Sequence, residues 1–561
     1  MSAHSTEKEP DIHAAAPAAI AAEDAPEDAK IVEAANTDLA VALASGPPLR
    51  PLSARSIQLY LILLVAFMGS LANGFDGSVM SAVNGMEQYL HYFNISGDDA
   101  GGGVGTTTAL IFGIYSIGSI VAVPIAGPVT DKLGRRGGMF VGAFIIIIGS
   151  LAATTATKIS ALLGGRFVLG LGVGIVQTAF NTFYYAGSIL CTGITVATGK
   201  LGSTRSFRAP LAIQVVAAGI LVIFSYLLPE SPRWLLSVGR KDEAITILAR
   251  YHGNDDPNSP LVQLEWREFE EAIKLDASDK RWWDYRGLFN TPNARYRTFM
   301  MVRVQFPVEE RGLKPLGSHG HLWSMERKRT GILPHYFVCE RWGQVRCLVS
   351  LREIEHFSRD SSQNARLTLN FVNTLVSASG ALIATSLTDK VGRRKMWLWG
   401  TFVSACTLAI VTGCTATAVN HPENKAAANA AVAFIFLFGF FYSLAYTPLQ
   451  ALYPAEVLDY NTRAKGMALY ALVVSCASFV NTYAGPIGLQ RISWKFYIVY
   501  VVWDLFECVV VYFCVVETKG RTLEELEEIF SDPHPVRASL RKRKVAIVAS
   551  KGEAIPVKEE A

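Results

Sequence analysis

Apolar residues run along this chain in long, unbroken stretches rather than in the stripes of an amphipathic soluble helix. A membrane-crossing helix needs about 20 mainly apolar residues. The pattern predicts spans near 59–83, 104–128, 138–157, 161–181, 183–200, 209–228, 367–387, 396–418, 429–450, 465–487 and 495–516. Stretches such as FVGAFIIIIGSLAATTA, starting at Phe140, are apolar on every face, which fits lipid surroundings better than a soluble core. The predicted fold class is therefore an all-α integral membrane protein.

Between the spans the charge is uneven. Basic residues gather in loops 131–137, 230–297 and 389–395 and after Lys519, and basic loops favour the cytosol. By that rule both termini lie inside. The sequon Asn94-Ile95-Ser96, with Asn94 as glycosylation candidate, falls outside. The first 50 residues hold nine Asp or Glu against Lys8, Lys30 and Arg50, with many Ala and Pro, and read as a disordered tail.

Composition narrows the class further. Of 561 residues 50% are hydrophobic and 18% charged, and the net charge is +4. Mean hydropathy is +0.27. Such a balance gives nucleic acid no basic surface to bind. The eight cysteines form no C-x-x-C pair, so neither a disulfide framework nor a zinc site is read, and no cofactor is implied. No nucleophile–base pair or phosphate loop marks an enzyme.

One motif recurs: TDKLGRR at Thr130 returns as TDKVGRR at Thr388, with Asp131 and Asp389 258 positions apart (389 − 131). In each copy the glycine permits a tight turn. The acid and the bases Arg135, Arg136, Arg393 and Arg394 can latch neighbouring helix ends. Glu230 with Arg233, and Glu456 with Arg463, are read as further ion pairs of the same latch. Duplicated six-span units are a common transporter design, with the substrate site between the halves.

Together with this repeat, NGFDGSVMSAVN at 73, GGRFVLGLGVG at 164, PESPRWLLSVGR at 229, YPAEVLDYNTRAKG at 453 and VETKGRTLEELEEIF at 516 carry a resemblance. The chain resembles the sugar-porter family of the major facilitator superfamily, and most closely its fungal lactose-permease-like and hexose-transporting branches. The resemblance covers most of 55–535. It implies a major facilitator fold: a tail 1–54, an N-terminal half 55–229, a helical loop 230–297, a C-terminal half 367–516 and a tail 517–561. It implies proton-coupled symport of a disaccharide such as lactose, or of a hexose, by alternating access in the plasma membrane. The partners are then the sugar, protons and the bilayer; the oligomeric state is left open, a monomer being one option.

Ionisable groups inside a membrane are costly and default to function. Asp76, in the first span, and Arg166, opening the fourth, match the family's proton-coupling pair. Asn181, Asn373, Gln450 and Asn481 are the substrate-binding candidates, with Asn370 a further polar group in a span. Asp504 and Glu507, three apart on the last span, are read as packing or interface groups, with a proton-coupling role as the alternative.

Two segments depart from the family. At 176–190, VQTAFNTFYYAGSIL, spans four and five run together with no turn signal and no loop. At 302–366, where span seven belongs, stand nine Arg and four His and no apolar run long enough to cross. The expectation is a chain with spans four and five fused and a polar segment, 298–366, in place of the seventh. Odd span counts would then put basic loops on the wrong side. A gene-model defect, with exon sequence dropped near 180 and non-coding sequence translated at 302–366, accounts for both. A non-transporting sensor or an inactive degenerate transporter is the alternative.

Overall fold

The computed structural model describes residues 29–32, 52–95, 106–177, 184–276, 285–303, 363–421, 424–458, 463–492, 494–519, 521, 523–540, 544–548 and 553–557. The first half contains α1 (Ala54–Asn84), the short α2 (Glu87–Tyr92), α3 (Thr106–Thr155), α4 (Ile159–Gln177), α5 (Tyr184–Thr198) and α6 (Arg205–Phe224). An insert follows with α7 (Pro232–Ser237), α8 (Lys241–His252), α9 (Pro260–Asp276) and α10 (Pro292–Arg303). The second half contains α11 (Gln363–Val391), α12 (Arg393–Asn420), α13 (Lys425–Tyr446), α14 (Leu449–Val457), α15 (Arg463–Ile492) and α16 (Lys495–Cys514). Two short helices, α17 (Leu523–Ser531) and α18 (Pro535–Ser539), close it.

Nine helices among the described residues are long and apolar enough to cross a membrane. One of them, the 50-residue α3, folds back at Gly134 and supplies two arms, 106–133 and 135–155. With α5, every one of the eleven predicted spans has its helix. The opposite faces carry large exposed apolar side chains such as Ile223, Leu382, Trp399 and Phe513, the surface that lipid covers.

Spans four and five are not fused. Helix α4 descends along the second arm of α3, with Gly165 against Ala153 and Val176 beside Gly142. Helix α5 returns along α1, from Tyr184 at the level of Gly74 to Gly199 beside Gln363. The two helices are antiparallel, so both basic loops of this half stay at one end, the basic end, and the parity conflict of the first half disappears. Helix α4 ends at Gln177 and α5 begins at Tyr184, both short of the basic end. They are 19 and 15 residues long, where their counterparts in the second half are α13 extended by α14 (22 and nine residues) and α15 (30 residues).

Helices α1 and α5 meet backbone to backbone. A Cβ on Gly74 would lie 1.9 Å from the Tyr184 carbonyl oxygen, and one on Gly187 1.9 Å from that of Leu71. Only glycine at both positions permits this approach, the small-residue packing by which membrane helices associate. The neighbouring Ser78 and Ser188 hydroxyls share a 2.6 Å hydrogen bond.

The segment predicted to replace span seven falls mostly on 304–362, outside the described residues. Its first residues continue α10, which packs on the second half: the Tyr296 hydroxyl donates to the Cys514 carbonyl (2.9 Å) and Phe299 and Met300 join the core of that half. The tails are not wholly unstructured. Strand β1 (Ala29–Val32) pairs antiparallel with β2 (Lys544–Val548), Ala29 facing Val548, and β2 with β3 (Glu553–Val557). Ile31, Val32, Val545, Ile547 and Val548 supply β-branched residues that favour strands.

The insert is a small helical module held to the first half by Trp234 Nε1 donating to the Asp131 carbonyl (2.9 Å) and by Arg55 pairing with Asp255 (3.2 Å). Inside it, His252 Nδ1 lies 2.7 Å from Glu265 Oε2, joining α8 to α9. That hydrogen bond raises the His252 pKa above the usual 6.5, more than partial burial lowers it. A raised histidine stabilises the module fully below the unfolded value and loses that contribution as pH rises through the folded one. Limited proteolysis of the insert is expected to be slower at about pH 6 than at about pH 8, and His252→Asn is expected to abolish that difference.

Candidate functional site

The recurring motif builds two cradles at the basic end. In the first, Gly134 takes φ +78°, which turns the chain between the arms of α3 and exposes the next amide. The buried Glu230 carboxylate fills the turn. Its Oε1 accepts from the Arg135 and Ser231 backbone N–H groups (2.9 and 3.0 Å), and its Oε2 from Arg136 Nε (3.2 Å). Arg136 also donates to the Leu228 carbonyl. In the second, Gly392 takes φ +97° and the acid is Glu517, which accepts from the Arg393 and Arg394 amides at 2.9 and 3.2 Å. Arg394 donates to the Tyr512 carbonyl, and Arg393 pairs with Glu456 (2.9 Å) and Asp389 (3.2 Å). Thr518 completes the group by donating to Glu456 Oε2 (2.5 Å).

The expected pairings are thus corrected in part. Glu230 binds the turn and Arg136 rather than Arg233, because the turn's amides converge on it from the helix above. Glu456 binds Arg393; the Arg463 side chain lies outside the described residues. Asp131 is exposed and offers its carbonyl to Trp234. Arg135 is exposed whereas its counterpart Arg393 is buried. The acid corresponding to Glu456 would sit at the basic end of span four, which the shortened α4 does not reach. Glu517 was legible in principle: E-T-K-G-R after an apolar run parallels E-S-P-R at 230.

Breaking a buried ion pair by removing one partner costs about 3–5 kcal/mol. Glu230→Ala is expected to lower the melting temperature of the purified protein by a comparable loss. Gly134→Ala should behave similarly, since its Cβ would stand 2.3 Å from Glu230 Oε2. The double variant should be no worse than the more severe single one, because both empty the same cradle.

Deeper in the first half lies Asp76, 2% exposed, with neither carboxylate oxygen in a hydrogen bond among the described residues. Gln214 of α6 stands beside it, outside hydrogen-bond geometry. Arg166 is the cation whose field reaches Asp76, yet no ion pair within 4 Å joins them. Instead Arg166 Nε donates to the Ile111 carbonyl (2.9 Å) and its guanidinium lies over the Tyr115 ring, 5.3 Å from the centroid. Gln214 is fixed by Ser150, whose hydroxyl donates to the Leu211 carbonyl (2.8 Å) and approaches Gln214 Oε1 (3.3 Å).

The polar candidates for a ligand are spread over the second half. Asn373 and the buried Asn370 lie on α11, Gln450 on α14, and the half-buried Asn481 on α15. Asn373 Oδ1 is buried without a partner and faces the α13 backbone at Gly439, beside Ser377. The Gln450 carbonyl accepts from the Tyr470 hydroxyl at 2.6 Å. Asn181 lies outside the described residues, as does Ser96 of the sequon; Asn94 itself is exposed with φ +52°.

Hydrogen bonds between the halves, among the described residues, run from mid-height to the end opposite the cradles. At mid-height Tyr185 meets Ser443 (2.6 Å), and Ser116 meets Ser478 (3.3 Å). At the opposite end Gln363 donates to the Gly199 carbonyl (3.1 Å) and Gln88, and accepts from the Glu87 amide (3.2 Å). Arg366 pairs with Glu87 at 3.5 Å. These bridging residues carried no sequence signal, since single Ser, Tyr and Gln residues in or beside apolar runs are common.

A family model described as "Sugar (and other) transporter" matches residues 62–180, 176–307 and 356–530. The match restarts at 176–180 and passes over 308–355, inside the two segments that depart from the family pattern. The high-affinity glucose transporter 1 of Candida albicans is 26% identical over 534 residues, covering 88% of this chain and 90% of that protein. The high-affinity glucose transporter of Kluyveromyces lactis is 25% identical over 514 residues, covering 85% and 86%. Among solved structures, the proton:xylose symporter XylE bound to 6-bromo-6-deoxy-D-glucose superposes with a TM-score of 0.63 at 17% identity, over 85% of this chain and all of that one. The fold, the two cradles and the family match converge: this chain belongs to the sugar-porter family of the major facilitator superfamily, a multi-pass membrane transporter rather than an enzyme.

Proposed function

We propose that the chain moves a hexose-class sugar together with a proton, by alternating access, across the plasma membrane, with both termini in the cytosol. The observation that carries the coupling is Asp76: a carboxyl buried in a membrane half, without a hydrogen bond among the described residues, within the field of an arginine that is engaged elsewhere. An isolated charge there is costly, whereas a proton removes it. In this conformation the acid is occupied and Arg166 rests on Ile111 and Tyr115. Loss of the proton creates a carboxylate that draws Arg166 away from them, and that exchange links protonation to movement of α1 against α4.

The sugar reading rests on the family and on relatives named for glucose. Asn181, Asn373, Gln450 and Asn481 supply amides for hydroxyls, and Tyr185 brings an aromatic ring between the halves. A disaccharide is the second reading, in keeping with the lactose-permease-like resemblance, with which Ala451, where many sugar porters carry tryptophan, agrees.

A sensor or an inactive transporter is favoured by a different observation. The family match omits 308–355, the stretch where the seventh span is expected. Sequencing the transcript across codons 170–190 and 295–370 tests whether these segments belong to the protein. Uptake of labelled glucose and lactose into vesicles, with and without a proton gradient, tests the activity. Gradient-dependent uptake supports symport; sugar binding without uptake supports the sensor.

A further inference from the structure

The second half holds a buried acid that the transport reading does not use. Glu507 is 5% exposed and lies on α16, three residues after the equally buried Asp504. Its Oε1 accepts from the Tyr446 hydroxyl of α13 (3.2 Å). Tyr446 is in turn in a short hydrogen bond with Thr401 of α12, whose hydroxyl donates to the Trp397 carbonyl (2.9 Å). The Trp397 ring stands edge-on to Tyr446, 6.0 Å between centroids. Its indole N–H is buried, has no hydrogen-bond partner among the described residues, and is directed at the same carboxyl. The other oxygen of Glu507, Oε2, is buried and unpartnered. The groups acting on Glu507 are Asp504, Tyr446 and Trp397, while Cys508 on its own helix and Cys406 of α12 lie close by. None of these described neighbours is a cation.

Two carboxylates one helical turn apart in a low-dielectric bundle repel strongly if both are ionised. A bare carboxylate oxygen in hydrocarbon surroundings adds the desolvation cost of an unpaired charge. One proton removes both penalties and leaves Oε1 as acceptor for Tyr446. We infer that Glu507 is a second membrane-embedded proton-binding site, in the C-terminal half, built from the Asp504–Glu507 face of α16 with Trp397 and Tyr446 as its walls. The site lies within one half, between α12, α13 and α16, and is separate from Asp76. It stands independently of the transport reading.

The full chain in lipid vesicles, examined by infrared spectroscopy at neutral pH without sugar, tests this. Exposed carboxyls are ionised there, so a carboxylic-acid C=O band reports buried protonated acids only. Asp76→Asn removes the contribution of the first half. In that background the band is expected to persist, and adding Glu507→Gln is expected to abolish it. No band in the Asp76→Asn protein, or a band that survives Glu507→Gln, overturns the inference. Should the Gln variant fail to fold, Tyr446→Phe in the same background removes the hydrogen bond to Oε1 and is expected to shift the band. An unshifted band overturns it equally. The outcome is independent of whether the chain takes up sugar.

Discussion

Asp76→Asn is expected to bring the sugar ratio across a vesicle membrane to about one while a proton gradient is applied. Each pH unit supplies about 1.4 kcal/mol per coupled proton, roughly tenfold in accumulation. Asn fills the same volume and presents no charge, so Arg166 never loses its place on Ile111 and Tyr115. Equilibrating exchange of sugar, inside against outside, is expected to continue, because the halves still rock without the proton. Accumulation in the Asp76→Asn protein equal to that of the unaltered chain would sink the coupling role. Arg166→Lys is expected to be nearly as damaging, since a compact ammonium cannot reproduce both the ring contact and the carbonyl bond.

The largest structural effect is expected at the reciprocal glycine contact. Gly187→Leu places a branched side chain where a single Cβ would already stand 1.9 Å from the Leu71 oxygen. Overpacking in a close-packed interior costs typically 1–3 kcal/mol and more when backbone must move, and here backbone faces backbone. Helix α5 has little to compensate with: it is 15 residues long and begins at mid-height. Loss of folded protein from the membrane fraction, read by size-exclusion of a tagged chain in detergent, is the expected result. Gly219→Leu is the control, because a Cβ there meets nothing within 4 Å. Equal recovery of the two variants would refute the packing argument.

Much of this architecture is legible from residues alone. Unbroken apolar runs located all eleven helices because lipid imposes length and composition without reference to tertiary contacts. The two D-K-x-G-R-R turns marked the cradles because a positive φ requires glycine. What fills each cradle was not legible. Glu230 is 94 residues from Arg136, whereas Arg233 is its near neighbour, and sequence proximity favoured the wrong partner. Nor was the pairing of spans four and five legible, since no Gly, Pro or Asn-Gly turn signal stands between Gln177 and Tyr185. The repeat contains a clue once the cradles are seen. Asp131 and Asp389 are 258 apart (389 − 131), but Glu230 and Glu517 are 287 apart (517 − 230). The first half is thus 29 residues shorter (287 − 258) between turn and acid, and α4 and α5 are where that length is missing.

Each cradle is closed by an acid from the end of its own six-span unit: Glu230 follows α6, and Glu517 follows α16. Among the described residues no cradle borrows a residue from the other half. The chain is therefore built as two separately clasped cartridges, with the insert docked on both, through Trp234 and Asp255 on the first and α10 on the second. Their association, among the described residues, joins polar bridges at Glu87, Ser116 and Tyr185 to helix packing of α3 on α15 and α5 on α11, where Gly113 meets Phe479 and Gly193 meets Phe371. That interface can part and re-form without either cartridge losing its own closure.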